Sequence, residues 1–374
     1  MKRSTPALLL CTALAMPVHA GLFDGLSGLV SAKPDEATNI DPSVNPESQL
    51  ENFIEVEGEE DGLLKGIKRV AITQFQIEFM TATSANAFAK SGYGSNTTNA
   101  NTYVNAKLEG VGVADFQKLT DGYYDSLVSS LKTAGIEVVE QALVLGHPDF
   151  KEMTSGARSS PSEEDAEAGK GVLVSSRGLP IWFESEDGFI RKASISFGKK
   201  EKTDPYQSFG TQMGQISAAK GAAINEPALM KALDAGSLRV RITVPFMQIK
   251  TSTTSSSAKT FSKGTVQIEK WVSRLSFVAP DTKRVRVRLK KPIVATSDVG
   301  ELKDVTTSGE KAIDAAANVV AIATMFMGGP VKGTMQSGVS YALQADPQRY
   351  ADTVNSQLDT TQKLFTAALL KAKQ

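Results

Sequence analysis

The sequence predicts an α/β (or α+β) chain: a mixed β-sheet with packed helices, an antiparallel β meander and a helical C-terminus. Three observations lead there. The strand-like run RVAITQFQIEF (69–79) is followed by a helical apolar stripe and then by the compact strand IEVVE (136–140). Two later runs, LRVRITVPFMQIK and DTKRVRVRLKKPIV, alternate apolar and polar residues with the period of a strand. The closing stretch, 346–373, carries apolar residues at the three- and four-residue spacing of an amphipathic helix.

The chain opens with Lys2 and Arg3, a short apolar core over 7–16 and the small residue Ala20 after Val18-His19. That order of charge, apolar core and small residue predicts a secretory signal peptide over 1–20, cleaved after Ala20. The protein is therefore expected in the periplasm or secreted. Cys11 follows Leu10 where a lipoprotein would need a small residue, and it leaves with the leader. Cleavage removes the single cysteine, one of the two histidines and two of the 41 basic residues that balance 41 acidic ones. The mature chain is then slightly acidic, expected to bind no nucleic acid through bulk charge, and unable to form a disulfide or a cysteine metal site. An apolar core must hold it together.

Residues 21–64 read as a flexible leader and linker. The patch GLFDGL is followed by proline-rich polar sequence and the acidic run EVEGEEDG (55–62), a composition that cannot bury a core. Residues 65–150 read as a βαβ-like unit with a hairpin insertion. RVAITQFQIEF places Val70, Ile72, Gln74, Gln76 and Glu78 on one side, and predicts a strand central at its start and half-exposed further on. NTYVNAKLEGV (101–111) is the second hairpin strand, and the polar stretch between them is expected to be a long disordered tip. Phe116, Leu119, Tyr123, Leu127 and Leu131 form a helical stripe that Gly135 stops.

Residues 151–171 are a charged, proline-containing break. The β-rich region 171–308 then holds GVLVSSRGLPIWFE, RKASISFG and one short helix, AAINEPALMKALDAG (222–236), with Pro227 in its first turn and a glycine stop. The meander follows, with one apolar and one cationic face. Residues 309–374 are C-terminal helices; the apolar run 315–329 is short for a membrane span and reads as a buried core helix.

The succession RVAITQF, LTDGYYDSLVSSLKTAG and IEVVE, with AAINEPALMKALDAG and LRVRITVPFMQI later, resembles the curli-secretion-channel (CsgG-like) group of periplasmic and outer-membrane proteins. The amino-terminal domain of TolB and some flagellar envelope proteins are similar. The resemblance implies a shared envelope domain. Against a channel stand the missing lipid-anchoring cysteine and the lack of paired strands alternating over the length of a barrel wall.

No catalytic, cofactor or metal residues are assigned. His147 has no partner identifiable in sequence, so a surface loop is its expected place. Ser217/Lys220 and Ser129/Lys132 match S-x-x-K without a K-T-G partner, and GGPVKGT lacks phosphate-loop spacing. The candidate site is a basic binding face of Arg239, Arg241, Arg284, Arg286, Arg288 and Lys290, formed if their strands are neighbours. Its counter-reading is a solvated sheet face that guards against edge pairing. The expected function is non-enzymatic: an exported envelope protein acting by binding or assembly on an envelope protein or an anionic envelope component. Peripheral membrane contact and homo-oligomerisation are compatible with this. The alternative is a carboxylate-dependent periplasmic hydrolase, which needs two acidic side chains about 5–10 Å apart in a pocket.

Overall fold

The computed structural model describes residues 46–58, 67–91, 97–184, 205–253, 258–270, 272–281, 283–311, 314 and 332–371. Residues 1–20, expected as a leader, the run RKASISFG and the apolar run 315–329 lie outside them. At the centre is β2 (Arg69–Ser91), whose two edges are both occupied over its first half. One edge pairs in parallel with β7 (Gly236–Val244) from Val70 to Phe79, then antiparallel with β3 (Thr97–Glu109) from Ala82 to Ser91. The other takes β4 (Glu137–Val138) in parallel and β6 (Gly169–Ser175) antiparallel, from Gln76 to Thr83.

Beyond β7 the sheet continues antiparallel through β11 (Arg274–Val278), β12 (Arg284–Leu289) and β1 (Ile54–Gly58). Beyond β3 lie β15 (Lys332–Ala345), parallel, and β14 (Gly300–Asp304), antiparallel. With β5 (Ser162–Ala166) closing on β6, this makes one mixed sheet of eleven strands. Two small antiparallel pairs complete the strands of the described residues: β8 (Met247–Thr253) with β9 (Ala258–Gly264), and β10 (Gln267–Ile268) with β13 (Ile293–Val294). The fold is α/β, and the expected meander is β7, β11 and β12.

A bulge decides which side chains of β2 meet which layer. Its register with β7 shifts between Ile72 and Gln74, so Thr73 is an extra residue and the alternation restarts after it. Val70 and Ile72, paired with Gly236 and Leu238, therefore share a face with Phe75, Ile77 and Phe79. Gln74, Gln76 and Glu78 turn to the opposite face. The one-sided row of Val70, Ile72, Gln74, Gln76 and Glu78 expected from strict alternation is thus corrected. So is the half-exposed second half, because Val70 to Met80 are all buried.

The apolar face packs against α2 (Val113–Thr133) and the C-terminal helix Pro347–Lys371. Phe79 stacks on Phe116 at 4.5 Å between ring centroids, Phe116 lies 6.3 Å from Tyr350, and Phe75 meets Tyr123 and Tyr124 at 5.4 and 5.1 Å. The stripe Phe116, Leu119, Tyr123, Leu127 and Leu131 is buried as its spacing requires, as are Tyr350, Val354, Leu358, Leu364, Phe365 and Leu369. At the end of α2, Ile136 N–H donates to Leu131 C=O at 2.9 Å across Gly135, whose φ of +73° makes it the stop.

Several expectations are corrected. The hairpin tip is ladder as far as Ser91 and Thr98, and residues 92–96 lie outside the described residues. The linker ends early: α1 (Leu50–Phe53) and β1 are ordered, and the acidic residues Glu55 and Glu57 are strand residues beside β12. The charged break contains α4 (Pro148–Met153), preceded by α3 (Gln141–Gly146), and then β5.

That break also supplies the carboxylate at the start of the long helix α5 (Phe209–Leu233), in which Pro227 is internal. Glu164 of β5 accepts from Ser208 N–H at 2.6 Å, from Thr211 Oγ1 at 2.9 Å and from Arg158 Nη1 at 2.8 Å. Its carboxylate thus lies at the positive end of the helix. Burial pushes the Glu164 pKa up, but these hydrogen bonds outweigh it and hold the group below the usual carboxylate range. The C-terminal helix, α6 (Pro347–Lys371), is the last described element.

Candidate functional site

The second face of the sheet carries the arginines. Strand registers place Gln74, Arg239, Ser276, Arg286 and Glu57 in one row, and Gln76, Arg241, Arg274, Arg288 and Glu55 in the next. The strands β7 and β12 are not neighbours. They are joined through β11, which contributes Arg274. Five of the six predicted residues, Arg239, Arg241, Arg284, Arg286 and Arg288, are brought together. Lys290 is apart and exposed, its Nζ donating to Glu51 C=O at 2.7 Å.

The face is not solvated. Arg239, Arg241, Arg274 and Arg286 are all buried, while Arg284 and Arg288 keep side-chain exposures of 32% and 25%. They are covered by the segment 179–184 and by Glu226 of α5. The Trp182 ring lies over Arg239, 4.9 Å from its guanidinium carbon, and the Phe183 ring lies 4.8 Å from that of Arg241. Trp182 Nε1 donates to Thr73 C=O at 3.1 Å, on the bulge residue. Gln74 Nε2 donates to Trp182 C=O, and Trp182 N–H to Gln76 Oε1 at 3.3 Å. Gln74 and Gln76, polar residues in a buried strand, thus tie the cover to the sheet.

Burial of so many guanidinium groups requires carboxylates. Glu184 Oε2 lies 3.3 Å from Arg239 Nη1, 3.4 Å from Arg286 Nη2 and 3.9 Å from Arg284 Nη1. Glu226 takes a two-pronged grip from Arg239, with Nε to Oε1 at 3.0 Å. Glu78 Oε2 lies 3.6 Å from Arg241 Nη2, and Glu57 Oε2 accepts from Arg288 Nη2 at 2.7 Å. Burial pushes the Glu184 pKa up, but Arg239, Arg274, Arg286 and Arg284 outweigh it and hold the carboxyl far below its usual range. Burial likewise works against the charge on Arg239, and Glu226 and Glu184 more than offset it.

The predicted basic binding face is therefore an internal ionic layer, and the prediction of an exposed sheet face is corrected with it. Sequence reading missed Arg274, Glu78, Glu184 and Glu226. The available signal was charge alternating with apolar residues on three successive strands, together with polar residues inside β2.

His147 caps α4: its Nδ1 accepts from Asp149 N–H at 3.3 Å. Ser129 and Lys132 sit on the exposed side of α2, and Ser217 and Lys220 fall within α5. Among the described residues no three His, Cys, Asp or Glu side chains converge to hold a metal ion, and no helix is long and apolar enough to cross a membrane. Two cavities open near the outer half of β2. One, of about 340 Å³, has Glu269 as its lining carboxylate; the other, of about 400 Å³, has Asp165.

The outer half of β2 differs from the inner half. Pairing with β7 stops at Phe79 and with β6 at Thr83, so among the described residues only β3 accompanies Ser84 to Ser91. Ser84, Asn86 and Phe88 share the face that also carries Asn105, Tyr103 and Asn101 of β3. Phe88 is 55% exposed. Tyr103 covers Gly338 of β15, where a Cβ would come within 1.8 Å of the ring. The chain matches no protein-family model, no curated protein and no solved structure.

Proposed function

We propose that this is an exported cell-envelope protein acting by binding or assembly, a component of an envelope secretion or surface-structure system, with the β2–β3–β15 ribbon as its contact surface. The observation that carries this reading is the outer half of β2. Among the described residues no strand pairs with one edge of Ser84 to Ser91, and an exposed aromatic, Phe88, stands beside that edge on the face it shares with Ser84, Asn86 and Tyr103. A partner strand added at such an edge gains main-chain hydrogen bonds, and an aromatic beside it supplies an anchor. The leader-like start of the chain and the resemblance to the curli-secretion-channel group support the envelope setting. Among the described residues one carboxylate lines each of these two cavities, Glu269 in one and Asp165 in the other, so neither supplies the pair that the hydrolase reading needs.

The test compares wild type with Phe88→Asp for retention on an envelope fraction and for size by light scattering. The variant is expected to melt like wild type, since Phe88 is exposed, and to lose most of its retention or self-association. Equal retention and equal size for both proteins would overturn the ribbon as contact surface.

A further inference from the structure

The cavity of about 340 Å³ lies where β7 ends and β8 begins, between residues 80–85 of β2, the turn of Pro205 and Tyr206, and the stretch 267–270. Its volume falls in the range of small-molecule sites. Its walls are set by backbone bonds that do not depend on a ligand. Gln267 N–H donates to Pro245 C=O at 3.1 Å, Glu269 N–H to Thr243 C=O at 2.9 Å, and Ala168 N–H to Pro205 C=O at 2.8 Å.

One part of the lining is apolar: Pro205, Tyr206, Ile249 and Pro292 are each half-buried. The other part is charged. Glu269 and Lys270, neighbours in sequence, are also half-buried and bring one charge of each sign. Tyr206 O–H donates to Glu269 Oε2 at 3.3 Å, which ties the ring to the carboxylate. A carboxylate accepts up to about four hydrogen bonds and an ammonium donates three, so both groups can serve a ligand alongside their partners in the chain. Gln267, 8% exposed, adds an amide to this part of the wall. Its Oε1 accepts from Gln248 Nε2 at 3.1 Å, and its own Nε2 makes no hydrogen bond among the described residues yet is not closed off.

We infer that this cavity binds a small zwitterion with an apolar side chain, the chemistry of a free α-amino acid. The ligand carboxylate takes hydrogen bonds from Lys270 Nζ and Gln267 Nε2, its ammonium meets Glu269, and its side chain packs on Ile249, Pro292 and the Tyr206 ring. The charge balance of the wall selects that class. An anion alone gains Lys270 but meets Glu269, and a cation alone gains Glu269 but meets Lys270. A neutral apolar molecule strips water from both charges without replacing it. A zwitterion answers both at once, and partial burial makes each ion contact stronger than it would be in water. Phe88 does not line the cavity, so loss of either proposal leaves the other standing.

The experiment titrates the full-length protein with leucine, read by calorimetry and by ligand-observed NMR. Three controls each lack one feature: N-acetylleucine the ammonium, leucinamide the carboxylate and glycine the side chain. The expected result is saturable binding of leucine, with each control weaker by about tenfold or more. Glu269→Gln should erase the preference for leucine over N-acetylleucine, and Lys270→Met the preference over leucinamide, while Phe88→Asp changes neither. The wild-type series decides the matter even if a variant fails to fold. No binding of leucine, or N-acetylleucine and leucinamide bound as tightly as leucine, would overturn the inference. A folded Glu269→Gln protein that keeps the full preference for leucine over N-acetylleucine would overturn it as well.

Discussion

Arg239 grips Glu226 with both ends of its guanidinium, Nε meeting Oε1 at 3.0 Å, and reaches across with Nη1 to Glu184 at 3.3 Å. One arginine of β7 thereby joins the sheet to α5 and to the covering segment at once. The pairing is a condition of burial more than a source of stability, because desolvating the ions costs about what their attraction returns. Removing one partner is therefore the informative perturbation.

Glu184→Gln should destabilise the protein by about 3–5 kcal/mol, the range for breaking a buried ion pair and leaving its partners uncompensated. Urea unfolding measures it. A shift under 1 kcal/mol would mean that Arg239 and Arg286 are neutralised by other groups.

Acid should unfold the protein through the same residue. A carboxylate whose folded pKa lies below its unfolded one binds fewer protons when folded, so falling pH favours unfolding. The stabilisation from Glu184 is fully present above the ordinary carboxylate value of 4.5 and is lost progressively below it. Unfolding free energy measured from pH 6 to pH 3 should fall for wild type and fall less steeply for Glu184→Gln. Parallel curves would remove Glu184 from the acid response.

Reversing Arg284, Arg286 and Arg288 to glutamate together should prevent folding, because Arg286 is buried between Glu57 and Glu184 and Arg288 holds Glu57. On an exposed face the same change would cost little. Lys290→Glu is the matched control: Lys290 is exposed, and its loss should stay under about 1 kcal/mol. Circular dichroism of the two variants separates the cases.

Intact-mass measurement of the exported protein should give a chain beginning at Gly21, as the Lys2-Arg3 start and the Val18-His19-Ala20 site predict. A mass that includes residues 1–20 would remove the leader.

What was legible in the sequence follows from which forces are local. Periodicity found α2, α6 and the meander because burial of one stripe or one face is written in spacing alone. It misplaced the faces of β2 because the extra residue Thr73 is visible only when β7 lies alongside. It took the arginines for surface because charge is normally solvated, and their carboxylates come from β1, β2, α5 and the 179–184 segment, far away in sequence. The strand β15 escaped notice because Gly338 and its small neighbours lack β signal and take their place from the parallel partner β3. The Gln248–Gln267 pair at the cavity wall carried no sequence signal for the same reason: single polar residues acquire meaning only from what folds over them.

The end of α5 gives the last prediction. Asp234, not the expected Gly236, occupies the left-handed position, with φ 47° and ψ 51°. Ala235 N–H donates to Met230 C=O at 3.1 Å and Asp234 N–H to Lys231 C=O at 3.4 Å, the paired bonds of a Schellman stop, and Ala235 and Met230 are both buried across it. Gly236 matters for packing instead, since a Cβ there would lie 2.3 Å from Phe277 Cζ and its absence clears space for the ring. Asp234 is exposed, strained at positive φ and negatively charged at the negative end of a helix. Asp234→Gly should therefore raise stability by about 0.5–1 kcal/mol, seen as a higher urea midpoint at unchanged slope. Asp234→Ala, which removes the charge and keeps the strain, should recover only part of that gain. Gly236→Ala should lower stability, because Phe277 is fully buried and cannot yield. If Asp234→Gly were neutral and Gly236→Ala were harmless, the helix would end at Gly236, where the sequence alone had placed its stop.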